Sequence, residues 1–420
     1  MHTPGRQPDP ADPRTGPDGP ARCYIPTLDG WRAVAILWVM LFHDGRQLFL
    51  PGGVMPSAPL YRFAQAGHLG VDIFFAISGF LICSRLIDER RRNGRIDLGG
   101  FYIRRCFRIM PPYYVFLAIL GLLSLIGGGV VGGREYLSCL GFARNYLNTA
   151  GSPTEGLYTS HFWSLAVEEH FYLIWPGLLV LLATDRRAAW VALGLGILVR
   201  IWRTIDLRFA IAARYLGLPL TGYRQRTDVC LDGLFFGCLL ALVVSNDRGR
   251  ARLARLLNPW SWSALLAAFL AIIALEGKVP LSGQLIGALI PLLVVGTTLH
   301  PRSAAGRILE WTPARAVGRL SYSLYLWQPF LATIAIEPWP GGPGSAAPPA
   351  RGLLGPLHAF PIGWIACFAC ALLSYHFIEK PTIALGRRLA ARRRAAAAPP
   401  GSDARASEPA GGFAAGRRAR

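Results

Sequence analysis

Trp31-Arg32-Ala33-Val34-Ala35-Ile36-Leu37-Trp38-Val39-Met40-Leu41-Phe42-His43 is an apolar run with an ionisable side chain near each end. Arg32 and His43 stand eleven residues apart, which at about 100° per residue is three turns plus roughly 20°. Both side chains therefore share one helix face, about 16 Å apart along the axis. An ionisable group inside a hydrophobic span is expensive and marks function by default. Long cationic side chains also snorkel from the ends of spans to the interface, an explanation that fits Arg32 better than His43.

The rest of the chain points to the same medium. Of 420 residues, 52% are hydrophobic and 16% charged, and the mean hydropathy is +0.35. Soluble domains usually carry about a quarter charged residues. A net charge of +20 would suit nucleic acid, but the basic residues cluster between apolar runs, not among aromatics on a polar face. They read as topology determinants, and no nucleic-acid partner is expected. The eight cysteines lie mostly in or beside apolar runs, where Cys behaves as a small hydrophobe. Cys367 and Cys370 form a CxxC without the second pair or the histidines that zinc requires, so no metal is expected.

Ten runs are long enough to cross about 30 Å of hydrocarbon. They lie near 28–46, 67–87, 109–131, 161–183, 188–206, 228–245, 260–276, 283–299, 318–336 and 359–378. With both termini on the cytoplasmic side, Lys plus Arg total 30 in the inner segments and 10 in the outer ones, the asymmetry that retention of positive charge produces. The segment 207–227 strains this topology. It puts Arg208, Arg214, Arg224 and Arg226 outside, where they either bind an anion or mark a miscounted helix. The expected organisation is a disordered leader over 1–24, one all-α polytopic bundle over 25–383, and a basic, disordered cytoplasmic tail over 384–420. Neither end is long enough for an added enzymatic domain, so the bundle must hold the whole site, in the cytoplasmic membrane.

Four segments carry candidate chemistry. His43 is a base suited to taking a proton from a hydroxyl. In Gly70-Val71-Asp72-Ile73-Phe74-Phe75-Ala76-Ile77-Ser78-Gly79, Asp72 lies at a depth like that of His43, while Ser78 and Gly79 favour close helix packing. Arg105 and Arg108, three apart on one face, enter an apolar helix and form a fork for the phosphates of a cytosolic donor. In Phe162-Trp163-Ser164-Leu165-Ala166-Val167-Glu168-Glu169-His170, Ser164 and Glu168 share a face. Glu168 lies two turns deep, where it needs a proton or a cation such as Arg32 or His43.

These segments, with Leu28-Asp29-Gly30-Trp31-Arg32, Leu320-Ser321-Tyr322-Ser323-Leu324-Tyr325-Leu326-Trp327 and Ser374-Tyr375-His376-Phe377-Ile378-Glu379-Lys380-Pro381, resemble the membrane acyltransferase 3 family over roughly Leu28 to Pro381. The resemblance implies an acyltransferase for groups other than amino-acyl groups, with ten core helices and acyl-CoA as donor. Its first-helix arginine and histidine fall on Arg32 and His43, its arginine pair on Arg105 and Arg108, and its glutamate on Glu168. Family members often have Gln where His170 stands and His where Gln328 stands. Only about 40 residues follow Pro381, so the esterase-like domain of some members is not expected.

The resulting expectation is a membrane O-acyltransferase acting on a hydroxyl of a sugar, cell-envelope glycan or glycosylated metabolite. Arg105 and Arg108 bind the acyl-CoA phosphates, His43 deprotonates the acceptor, and Glu168 and Asp72 orient His43 or Arg32. Arg32 itself steadies developing negative charge or holds Glu168. The alternative is a secondary transporter or flippase for an anionic solute, using the same buried groups.

Overall fold

A computed structural model describes residues 24–49, 58–127, 131–147, 158–218, 225–275, 278–331 and 361–396. Among these residues there is no strand. In chain order the helices are α1 (Pro26–Phe49), α2 (Ala58–Gln65), α3 (Leu69–Asn93), α4 (Leu98–Gly127), α5 (Gly133–Leu140), α6 (Phe162–Leu181), α7 (Asp185–Phe209), α8 (Ile211–Leu216) and α9 (Thr227–Cys230). They continue with α10 (Asp232–Val244), α11 (Asp247–Leu256), α12 (Pro259–Ala274), α13 (Ser282–Leu299), α14 (Ala304–Leu309), α15 (Thr312–Leu331), α16 (Ile362–Ser374) and α17 (Lys380–Ala396).

Apart from residues at their ends, the ten apolar runs fall on α1, α3, α4, α6, α7, α10, α12, α13, α15 and α16. Among the described residues five helices are long and apolar enough to cross a membrane, or six if α11 and α12, bent by 63°, count as one span. The others fall short for identifiable reasons. Polar residues dilute α1 and α6, which carry Arg32, His43, Glu168 and Glu169, while α10 and α12 are 13 and 16 residues long. The chain is thus an all-helical, multi-pass membrane protein.

Small residues set the crossings that build the interior. A Cβ placed on Gly79 of α3 would lie 2.0 Å from the Leu234 carbonyl of α10, and one on Gly318 of α15 would lie 1.8 Å from the Asp29 carbonyl of α1. Without hydrophobic drive between helices in lipid, such backbone-to-backbone approach is what holds spans together. These seams join α3 to α10 and α15 to α1, and Gly70 of α3, whose added Cβ would lie 2.4 Å from the Ala35 carbonyl, brings α3 against α1.

One end of the bundle is built for water. Gly94 ends α3 with φ of 69°, and Thr184, Asn246, Asn258 and Ser303 cap the starts of α7, α11, α12 and α14 through their side-chain oxygens. Here Arg90 and Arg91 both pair with Asp185, and Arg393 and Arg394 pair with Asp97 at 2.8 and 3.3 Å.

The tail expected from 384 onward begins later. Residues 384–396 are the greater part of α17, which lies along α4 with Gly386 against Phe107 and Ala390 buried. The Ala and Arg residues that looked like a solvated tail are good helix formers, and the Asp97 and Glu89 partners of Arg394 fasten them. Residues 397–420 and the leader up to 23 lie outside the described residues. Between α16 and α17, Tyr375–Glu379 form one wide π-turn, which carries Glu379 inward to accept a hydrogen bond from Ser323 Oγ at 2.9 Å.

Candidate active site

α3 contributes a stripe at helical spacing, Val71, Phe74, Phe75, Ser78, Leu81, Ile82 and Arg85, to the wall of a cavity of about 90 Å³. α6 adds Ser164, Leu165, Glu168 and Tyr172, α4 adds Arg105 and Arg108, α1 adds Arg32, and α15 adds Ser321, Tyr322 and Tyr325. Four of the six residues singled out from the sequence, Arg32, Arg105, Arg108 and Glu168, therefore line one cavity. Arg85 joins them unforeseen. Its position seven residues after Ser78, two turns along the same face, was the available signal.

Arg105 and Arg108 enter the cavity as a pair, as their spacing implied. The Arg105 guanidinium lies 3.8 Å from the centre of the Tyr172 ring, a cation–π contact that fixes its plane while leaving its edge for another partner. Arg108 has Arg32, Arg105 and Glu379 as its charged neighbours. Just beyond it, Pro111 and Pro112 lie within α4 and withhold two backbone N–H groups. The Tyr322 hydroxyl donates to the Ile109 carbonyl at 2.7 Å and pins this stretch to α15.

Glu168 finds neither of its expected cations. Ser78 Oγ donates to its Oε1 and the Tyr172 hydroxyl to its Oε2, each at 2.8 Å. Two well-placed hydroxyls thus give each carboxylate oxygen one donor. Arg32 turns instead to Asp29, one turn back on α1, at 3.0 Å. Ser78 is therefore a polar ligand of Glu168 and not merely a packing residue, whereas its neighbour Gly79 does the packing.

Asp72 is not brought to His43. It faces the opposite side of α3, where Arg200 and Arg203 of α7 are its charged neighbours together with Asp232 of α10. Equal depth was the ground for linking it to His43, but azimuth decides contact. Residue 71 lines the cavity, and residue 72 lies about 100° around the helix.

His43 does not line the arginine cavity. Its Nδ1 lies 3.0 Å from the Val39 carbonyl. A carbonyl only accepts, so Nδ1 carries the proton and Nε2 keeps its lone pair. The ring has His161 as an electrostatic neighbour and the Gln328 amide beside it, off hydrogen-bonding geometry. His161 leads back to the cavity, because the Tyr325 hydroxyl donates to the His161 carbonyl at 3.0 Å and lies 2.6 Å from Ser164 Oγ.

The strained segment 207–227 resolves in a third way. Arg226 is fully buried and pairs with Asp206 at 2.9 Å and Asp228 at 2.6 Å. Its charge is absorbed within the protein. Arg208 and Arg214 are exposed, and Arg224 lies outside the described residues.

Among the described residues no group of three or more His, Cys, Asp or Glu could hold a metal ion. A larger cavity of about 680 Å³ between α1, α12 and α13 is walled mainly by apolar side chains such as Trp31, Trp38, Trp262 and Phe269.

The fold and the cavity define a multi-pass helical membrane protein with a cation-rich interior site. The chain belongs to the acyltransferase 3 family, whose acyltransferase-domain model matches residues 25–376. It is 29% identical over 401 residues to a putative peptidoglycan O-acetyltransferase, YrhL, of Bacillus subtilis, covering 88% of this chain and 56% of the relative. Against the peptidoglycan O-acetyltransferase OatA of Listeria monocytogenes it is 28% identical over 333 residues, covering 73% and 49%. Against the O-acetyltransferase OatA of Staphylococcus aureus it is 26% identical over 387 residues, covering 85% and 57%. The chain thus spans about half the length of the curated relatives it matches. No solved structure matches it.

Proposed function

We propose that this chain is an O-acyltransferase of the cytoplasmic membrane that moves an acetyl or other acyl group from acyl-CoA to a hydroxyl of a cell-wall glycan. The observation that carries the reading is the convergence of four arginines with a single carboxylate on one interior cavity. Four guanidinium groups gathered on one cavity wall suit a polyanion, and they match phosphate in geometry as well as charge. The named activity of the relatives supplies the acceptor class. With both termini cytoplasmic and ten spans, the arginines open toward the side where acyl-CoA is made.

In this reading Arg105 and Arg108 hold the donor's phosphates, with Arg32 and Arg85 completing the positive wall. The acceptor oxygen attacks the thioester carbon as its proton passes to Nε2 of His43. The C–S bond then breaks, and the imidazolium returns the proton to the leaving thiolate. Glu168, held by Ser78 and Tyr172, keeps the wall of the cavity in place.

The test uses the full chain in lipid nanodiscs with acetyl-CoA and a soluble N-acetylglucosamine oligomer. The expected result is release of free thiol that depends on the oligomer and falls about a hundredfold or more in His43→Ala. Wild-type protein that binds acetyl-CoA but releases no thiol overturns the reading, as does a His43→Ala variant of undiminished rate.

A further inference from the structure

His161 and Gln328 are the polar groups for which the fold offers no use. His161 is 3% exposed and Gln328 is 0% exposed. Neither ring nitrogen of His161 and neither amide atom of Gln328 makes a hydrogen bond to the protein. Leaving a buried polar group unpaired is costly, and here four such atoms sit together. Both side chains adjoin His43.

The surroundings are neutral and shaped. Phe116 packs edge-on to the His161 ring at 6.0 Å and Tyr325 at 5.5 Å. The cluster brings together two imidazoles and an amide, with no carboxylate among them. It offers both donors and acceptors, and the charged neighbour of His161, Arg144, is already paired with Glu135 at 3.7 Å. That composition fits a neutral polyhydroxyl group, and it differs from the cation-rich wall that begins on the far side of Tyr325 and Ser164. Arg32 and His43 mark the two chemistries on a single helix, about 16 Å apart.

We propose that His43, His161 and Gln328 form the subsite that receives the acceptor's hydroxyl groups, with His161 and Gln328 orienting the sugar so that one hydroxyl meets Nε2 of His43. This rests on the acyltransferase reading above and assigns its acceptor side: a neutral, polyhydroxylated sugar ring rather than a phosphorylated or carboxylated one. No covalent step is added, since His161 and Gln328 only bind and position.

The full chain in nanodiscs tests this with acetyl-CoA and the soluble N-acetylglucosamine oligomer, in His161→Gln, Gln328→Leu and the Arg105→Ala/Arg108→Ala pair. The expected result is a rise of tenfold or more in the oligomer's KM for His161→Gln and Gln328→Leu, with the directly titrated affinity for CoA within twofold of wild type. The arginine pair gives the reverse pattern. Gln328→His, which restores a hydrogen-bonding ring, recovers at least part of the loss. Oligomer KM values unchanged in an active His161→Gln enzyme overturn the subsite alone, as does a joint fall in CoA affinity. Wild-type protein that releases no thiol overturns the parent reading and the subsite with it.

Discussion

Two arginine-rich regions of this bundle provide for their interior cations in different ways. On the α7–α10 side, Arg200, Arg203 and Arg226 are matched by Asp206, Asp228 and Asp232, with Asp72 close by. Around the interior cavity, Arg32, Arg85, Arg105 and Arg108 share the wall with Glu168, itself occupied by Ser78 and Tyr172. The first region closes its charge account internally and acts as a strut. In the second, the further carboxylate neighbours Asp29, Glu169 and Glu379 lie off the cavity wall and the guanidinium groups line open space, which distinguishes a site from a brace when both contain deep cations.

The two regions are separable by substitution. Arg226→Ala should have the largest effect, because it strands the buried Asp206 carboxylate at a cost of about 3–5 kcal/mol and takes one partner from the half-buried Asp228. Fluorescence-detected size exclusion after heating should show loss of folded protein; normal thermal survival would mean that the strut is not one. Arg105→Ala with Arg108→Ala should fold with near-normal thermal survival but lose about a hundredfold in CoA affinity, at ~1.5–3 kcal/mol for each charge-assisted contact. Unfolding of that double variant would erase the distinction between the regions.

Glu168→Gln removes the negative charge that lines the cavity and should tighten CoA binding by about threefold. Weaker binding would show instead that the carboxylate aims an arginine. The smallest effect belongs to the water-facing end. Burial pushes the Asp97 carboxyl up, but the Gly100 N–H and the guanidinium groups of Arg394 and Arg393 more than reverse this and hold it below the usual range. Its contribution is therefore present above the unfolded value of about 4 and lost as pH falls through the lower folded value. Thermal survival of wild type should drop relative to Asp97→Asn by a few tenths of a kcal/mol (~0.3) across that interval. Parallel curves would release α17 from this anchor.

Patterning along the chain foretold more of the bundle than of its contacts. Apolar length alone locates the apolar helices, and three-residue spacing puts Arg105 and Arg108 on one face, because both follow from helix geometry within a single element. Which residue Glu168 meets depends on the rotation of α3 against α6, which no pattern within a single helix encodes. The same rotation turns Asp72 away from His43. His161 carried no signal, since a histidine at the start of an apolar helix looks like an interfacial residue until its two nitrogens are seen to be sealed from water. The tail boundary failed because Asp97 and Glu89, some 300 positions earlier, hold a helix that composition alone would leave to solvent.

The wide turn at Tyr375–Glu379 holds one surplus residue relative to α-helical winding. Everything beyond it is out of phase with α16 by about 100°. Deleting a single residue there would restore phase, swing Glu379 away from Ser323 and carry the basic stripe of α17 off Asp97, so the length of this short segment governs the bearing of the last helix.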